Sequence, residues 1–281
     1  MTNPIDLLFS DRRTLKLMTH VVAGYPDLET TGHLIRLMSE NGADLVEIQV
    51  PFSDPLADGP TIATANQVAL NSGVTPEHCF RLLEKLKPKV KIPLLVMTYA
   101  NIPYRMGLEV FVRRCCEVEV SGLIIPDLPF IPSELGEIEE APARQSVDKE
   151  FPCCGILPLA KRYGCYAVPV VSPGMPMQRL EEIVKLAQGF IYATLRVGIT
   201  GARPGIDEKG ITFLAALKNS TSLPIAAGFG IASLEMVDQL KNRADAVVIG
   251  SHIINLLNCQ GIKGVIDFLQ SLARCCRDGK D

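Results

Sequence analysis

Nowhere among the 281 residues does an apolar run approach the roughly 20 residues that cross a bilayer, which argues against a membrane-spanning helix. The first residues, MTNPIDLLFSDRRTLKL, lack a long apolar core, so no secretory signal is expected and the chain is expected to be cytoplasmic. Charge of either sign is nearly balanced, with a formal net charge of -3, so no nucleic-acid or anionic-membrane partner is expected. There is no C-x-x-C spacing among the nine cysteines, and the four histidines (His20, His33, His78, His252) stand in no ligand spacing with them. Metal sites and a disulfide framework are therefore disfavoured against reduced thiols, and no metal is expected. Tryptophan is wholly absent.

Apolar, β-rich runs alternate with amphipathic helical stretches along the chain. The runs are LKLMTHVV (15–22), DLVEIQV (44–50), IPLLVMTY (92–99), GLIIPDL (122–128), CYAVPVV (165–171), GFIYATL (189–195), LPIAAGFG (223–230) and DAVVIGS (245–251). Each is nearly all apolar rather than alternating, the pattern of parallel strands covered on both faces. Eight such runs, at about 35 residues per βα unit, point to a single-domain (β/α)8 TIM barrel over 1–281, with a doubly wound open sheet as the rival. Residues 130–164 are the exception: a proline-containing, acidic segment too long for an ordinary crossover, read as an inserted loop or as a helix with an elaborated entry.

A barrel carries its chemistry at the C-terminal ends of its strands. Glu47 sits near such an end, in VEIQVPFSDPLADGP (46–60), and Pro51, Pro55 and Pro60 stiffen the loop that presents Asp54 and Asp58. A carboxyl in the barrel mouth would be desolvated and its pKa raised, while Asp58, nearer water, would stay ionised. Two carboxylates in unlike environments divide acid and base work. Alternatively, Glu47 pairs with a lysine or arginine inside the barrel. AGFGIAS (227–233) and IGSHII (249–254) end the last two strands in glycine turns expected to run straight into helices, where free N–H groups suit a phosphate. RVGITGARPG (196–205) adds a glycine-rich loop with the hydroxyl of Thr200.

PFSDPLADGPTI with its upstream glutamate closely resembles the signature of the tryptophan synthase α subunit, as do MTYAN (97–101), LIIPDLP (123–129), GITGAR (198–203), GFGI (228–231) and IGSHII (249–254). The matches keep their order across nearly the whole chain. The resemblance implies a lyase that splits indole-3-glycerol phosphate into indole and glyceraldehyde 3-phosphate by a retro-aldol step without a cofactor of its own. It assigns Glu47 the acid/base role, both at the ring carbon and at the glycerol hydroxyl, and gives Asp58 the indole N–H. It puts Tyr99 and Tyr192 in the pocket, Thr200 in a loop closing onto Asp58, and Gly201, Gly230, Gly250 and Ser251 at the phosphate. It further implies a pyridoxal-phosphate β subunit as partner in an α2β2 heterotetramer, with Asp54 facing it. Absence of tryptophan fits an enzyme made when that amino acid is scarce.

The chain also departs from the family pattern. Gln49 stands where the family usually has glycine, and His20, placed among the substrate-binding residues, replaces a usual phenylalanine, where it repacks the indole pocket, adds a polar contact, or bonds a buried neighbour. Leu195 and Val197 flank Arg196 in loop six, and 130–164 is longer than the family's connection. These departures keep two alternatives open: an α-like activator of a β partner with weak chemistry, or a stand-alone lyase releasing free indole.

Overall fold

The structure is a computed structural model, and it describes residues 2–128, 130, 156–196, 206, 208–228 and 230–278. Nine short strands form one all-parallel sheet: β1 (Lys16–Val22), β2 (Leu45–Gln49), β3 (Leu94–Met97), β4 (Gly122–Ile124), β5 (Tyr166–Val168), β6 (Val170–Val171), β7 (Ile191–Thr194), β8 (Ile225–Gly228) and β9 (Ala246–Ile249). Their order is β5-β4-β3-β2-β1-β9-β8-β7-β6, so the two edges are the consecutive pieces β5 and β6. CYAVPVV, read above as one strand, is split at Pro169, which has no N–H for a ladder. Its first half pairs with β4 and its second with β7, closing the sheet into a barrel of eight strand positions.

Side-chain parity sorts the apolar runs into two layers. Met18, Leu45, Leu95, Met97, Ile124, Tyr192, Ala226, Ala246 and Val248 form the barrel interior. Leu17, Val46, Ile48, Val96 and Val247 point outward into the larger layer under the helices. Helix α1 (Pro4–Leu8), capped by Asn3, closes one end: Ile5 and Phe9 join the interior cluster, and Phe9 lies 5.7 Å from Phe190. That parity decides the chemistry. If Met18 faces in, so does His20; if Leu45 faces in, so do Glu47 and Gln49.

Several outer helices carry a capping side chain or a proline at their start. Asp27 caps α2 (Leu28–Glu40) by accepting from the Thr30 N–H, and Thr75 with His78 boxes the start of α4 (Pro76–Leu86). Pro60 opens α3 (Pro60–Asn71) directly after the acidic loop. Helix α11 (Ser251–Arg277) kinks at Gly261, whose φ of 66° is a conformation open to glycine. Helices α5 (Asn101–Met106), α6 (Leu108–Glu117), α8 (Met177–Leu186) and α9 (Glu208–Ser220) complete the outer layer with α10 (Leu234–Leu240). Within 130–164, residues Ile156–Tyr163 form a helix, α7; residues 131–155 lie outside the described ones.

Candidate functional site

At the C-terminal ends of the strands a cavity, partly open to solvent, gathers His20, Glu47, Asp58, Tyr192, Gly230, Gly250 and Ser251. Met97, Ile124, Val170, Ile231 and Val248 supply its apolar walls.

Glu47 is 3% exposed. Its partner is neither lysine nor arginine: the neighbouring register position on β1 is His20, whose Nδ1 lies 2.9 Å from Glu47 Oε2. His20 therefore bonds a buried neighbour, one of the roles open to it from sequence, and it also lines the cavity. Burial, the largest influence, works to lower the His20 pKa. The Glu47 charge and hydrogen bond, with smaller help from Asp58 and Gln49, outweigh it and carry the ring above its ordinary value.

Asp58 is half-buried, more exposed than Glu47 as expected. It is not, however, an ordinary solvated acid. Burial pushes its carboxyl above the usual carboxylate range, against the lowering effects of the Gln49 bond, the His20 charge and the Tyr99 bond. Gln49 is fully buried and donates from Nε2 to Asp58 Oδ2 at 2.6 Å. Asn66, on α3, holds this loop from below: its Oδ1 accepts from the Phe52 N–H at 3.0 Å and from Gln49 at 3.3 Å, while its Nδ2 donates to the Ile62 carbonyl. Sequence reasoning passed over Asn66, although an amide on the apolar Ile62–Ala65–Ala69 face was a usable signal.

Tyr99 stands one layer behind the cavity rather than on its wall. It is fully buried, its hydroxyl accepts from the Ala57 N–H at 3.1 Å, and its ring stacks on Phe52. Tyr192 does line the cavity, and burial followed by the charges of Glu47 and Asp58 pushes its phenol pKa well up. Gly250 immediately precedes α11, whose first two N–H groups, those of Ser251 and His252, have no backbone acceptor. Gly230 differs from expectation: α10 (Leu234–Leu240) starts only after Ile231, Ala232 and its cap Ser233. Thr200 and Gly201 lie outside the described residues. Asp54 is exposed and faces away from this network, accepting from the Ser53 hydroxyl.

Among the described residues no group of three or more His, Cys, Asp or Glu could hold a metal ion, and no helix is long and apolar enough to cross a membrane. What remains is a buried carboxylate paired with a histidine, a second carboxylate fixed by an amide, and glycine-lined strand ends. This arrangement can move a proton at an apolar substrate while anchoring an anionic group.

The family model described as "Tryptophan synthase alpha chain" matches residues 9–149 and 154–278. The tryptophan synthase alpha chain of Alkaliphilus metalliredigens is 39% identical over 261 residues, covering 91% of this chain and 90% of that one. That of Desulforapulum autotrophicum is 36% identical over 262 residues, covering 93% and 96%. In three dimensions the fold is similar to a chain of Mycobacterium tuberculosis tryptophan synthase, with a TM-score of 0.84 at 27% identity over 99% of both chains.

Proposed function

Because the chain belongs to the tryptophan synthase alpha chain family, we propose that it cleaves indole-3-glycerol phosphate to indole and glyceraldehyde 3-phosphate. The observation that carries this reading is the convergence, in one cavity, of the buried Glu47, the tethered Asp58 and the glycine-lined ends of β8 and β9. Glu47 is the acid and base: it protonates the indole carbon that bears the glycerol chain and takes the proton of the adjacent hydroxyl as the C–C bond breaks. Asp58, with Gln49 on one oxygen, keeps acceptor capacity for the indole N–H and balances the positive charge that ring protonation creates. Apolar Met97, Ile124 and Val248 suit the flat ring, and Tyr192 stands beside it. Phosphate is assigned to Gly230, Gly250, Ser251 and the free end of α11, with Gly201 contributing and Thr200 closing over Asp58.

The reaction needs no cofactor from this chain. We assign pyridoxal phosphate to a β subunit that receives the indole, in an α2β2 assembly. An exposed apolar depression lined by Phe52, Ile102, Tyr104 and Met106 lies beside the Asp54 loop and suits such a partner. Incubating the purified chain with indole-3-glycerol phosphate, with and without a β subunit, tests the reading. Indole should form and rise on adding β; no release in either case overturns it. Strong activation of β without indole formation would favour the activator reading instead, and full activity without β a stand-alone lyase.

A further inference from the structure

In the proposed lyase step one carboxyl is an acid at one moment and a base at the next, and His20 has no task. Yet His20 is 4% exposed, lines the cavity, and binds Glu47 Oε2 through Nδ1 at 2.9 Å. Its Nε2 is buried and makes no hydrogen bond to the described residues. Burying a histidine against a carboxylate carries a desolvation cost that apolar packing would avoid. The pair also differs from a plain ion pair, since it can exist as imidazolium–carboxylate or imidazole–carboxylic acid with the same net charge. Moving the proton between its halves leaves the net charge of the site unchanged.

We propose, resting on the lyase reading, that His20 and Glu47 form one proton-sharing unit in which His20 stores at Nδ1 the proton that Glu47 delivers. In the first step a proton passes from the Glu47 carboxyl to the ring carbon, and His20 has supplied it, ending as neutral imidazole. In the second, the glycerol hydroxyl gives its proton to the Glu47 carboxylate as its oxygen forms the aldehyde carbonyl. The electron pair of the breaking C–C bond returns to the ring, and the proton goes back to His20. One proton leaves the unit and one returns, with no net oxidation. The upward shift of the histidine agrees, since the ring then holds its store to higher pH than a free histidine.

The titratable groups facing the unit are Asp58 from the loop after β2, with Tyr99 behind it, and Tyr192 from β7; on the β9 side Gly250 and Ser251 do not titrate. His20 is thus a positioning and proton-storing residue acting through Glu47.

Two measurements on the full chain test this. First, kcat for indole release is followed against pH for the wild type and for His20→Gln and His20→Phe. Both variants should lose roughly ten- to hundredfold in kcat, with KM within about twofold. Their alkaline limb should move to lower pH, because the ring that holds a proton above the ordinary histidine value is gone. Second, the histidine rings are titrated by NMR in the wild type and in Glu47→Gln, which needs no change at His20; the His20 ring should titrate at lower pH once the carboxylate is gone. A wild-type limb retained in both His20 variants, or a ring titrating alike with and without Glu47, overturns the proposal. A wild-type chain that releases no indole overturns the lyase reading itself, whereas normal release with an unmoved His20 profile overturns only the shared proton.

Discussion

Replacing Gly228 by alanine tests whether the Tyr192 phenol occupies the cavity wall as described. A Cβ on Gly228 would stand 2.6 Å from Tyr192 Oη and 2.9 Å from Cε1 and Cζ, where ordinary contact begins at 3.4 Å. Neither side can yield cheaply. Gly228 is paired in register with Thr194 in the barrel ladder, and the Tyr192 ring is buried among the interior residues. Overpacking of this kind costs about 1–3 kcal/mol, and each kcal/mol lowers the melting temperature of a chain this size by roughly 2–4 °C. The ring's easiest escape is into the cavity, so kcat/KM for indole release should fall as well. Tyr192→Phe removes the closest clashing atom and leaves the carbons, so it should rescue Gly228→Ala in part. Thermal unfolding of the wild type, both single variants and the double should then reveal a favourable coupling of about 0.5–3 kcal/mol. A wild-type melting temperature for Gly228→Ala, or strict additivity in the double, would refute the placement.

Asn66→Ala removes the acceptor for the Phe52 N–H and one support of Gln49. It should destabilise by about 1–3 kcal/mol in denaturant melts and lower kcat several-fold by loosening Asp58. Asp44 accepts from the Leu17 N–H at 2.7 Å, and burial holds its pKa above the ordinary value against the charges of Lys16 and Arg277. A raised carboxyl favours the fold while protonated, so its contribution is present below the unfolded pKa of about 3.9 and is lost as pH rises through the folded value. Asp44→Asn, which keeps a carbonyl acceptor without the charge, should therefore melt higher than wild type at pH 7 and converge with it near about pH 3. A variant less stable than wild type at pH 7 would contradict this.

The strands were legible because parallel strands buried on both faces leave continuous apolar runs, and the acidic loop was legible through its prolines and the helix start at Pro60. The split at Pro169 was less so: CYAVPVV reads as one strand until the ladder demands an N–H that proline lacks. Continuous apolarity also hides parity. Nothing in LKLMTHVV or DLVEIQV shows which residues face inward, so the meeting of His20 and Glu47, 27 residues apart, depends on a register the sequence does not display. Gln49 was visible as a polar residue at an unexpected position, but its bond to Asp58 needed the loop to fold back over the strand. Tyr99 carried the right type at the right strand end, and only packing put it behind Asp58 rather than beside the cavity.

If Glu47 moves the protons of the lyase step, Glu47→Gln should stop them moving. Glutamine keeps the shape and a hydrogen-bonding oxygen for His20 while removing the exchangeable carboxyl proton. Indole release from indole-3-glycerol phosphate should fall by about 10²–10⁴-fold or more, with the melting temperature and circular dichroism of a folded barrel retained. Near-normal indole release from the folded variant would contradict the account.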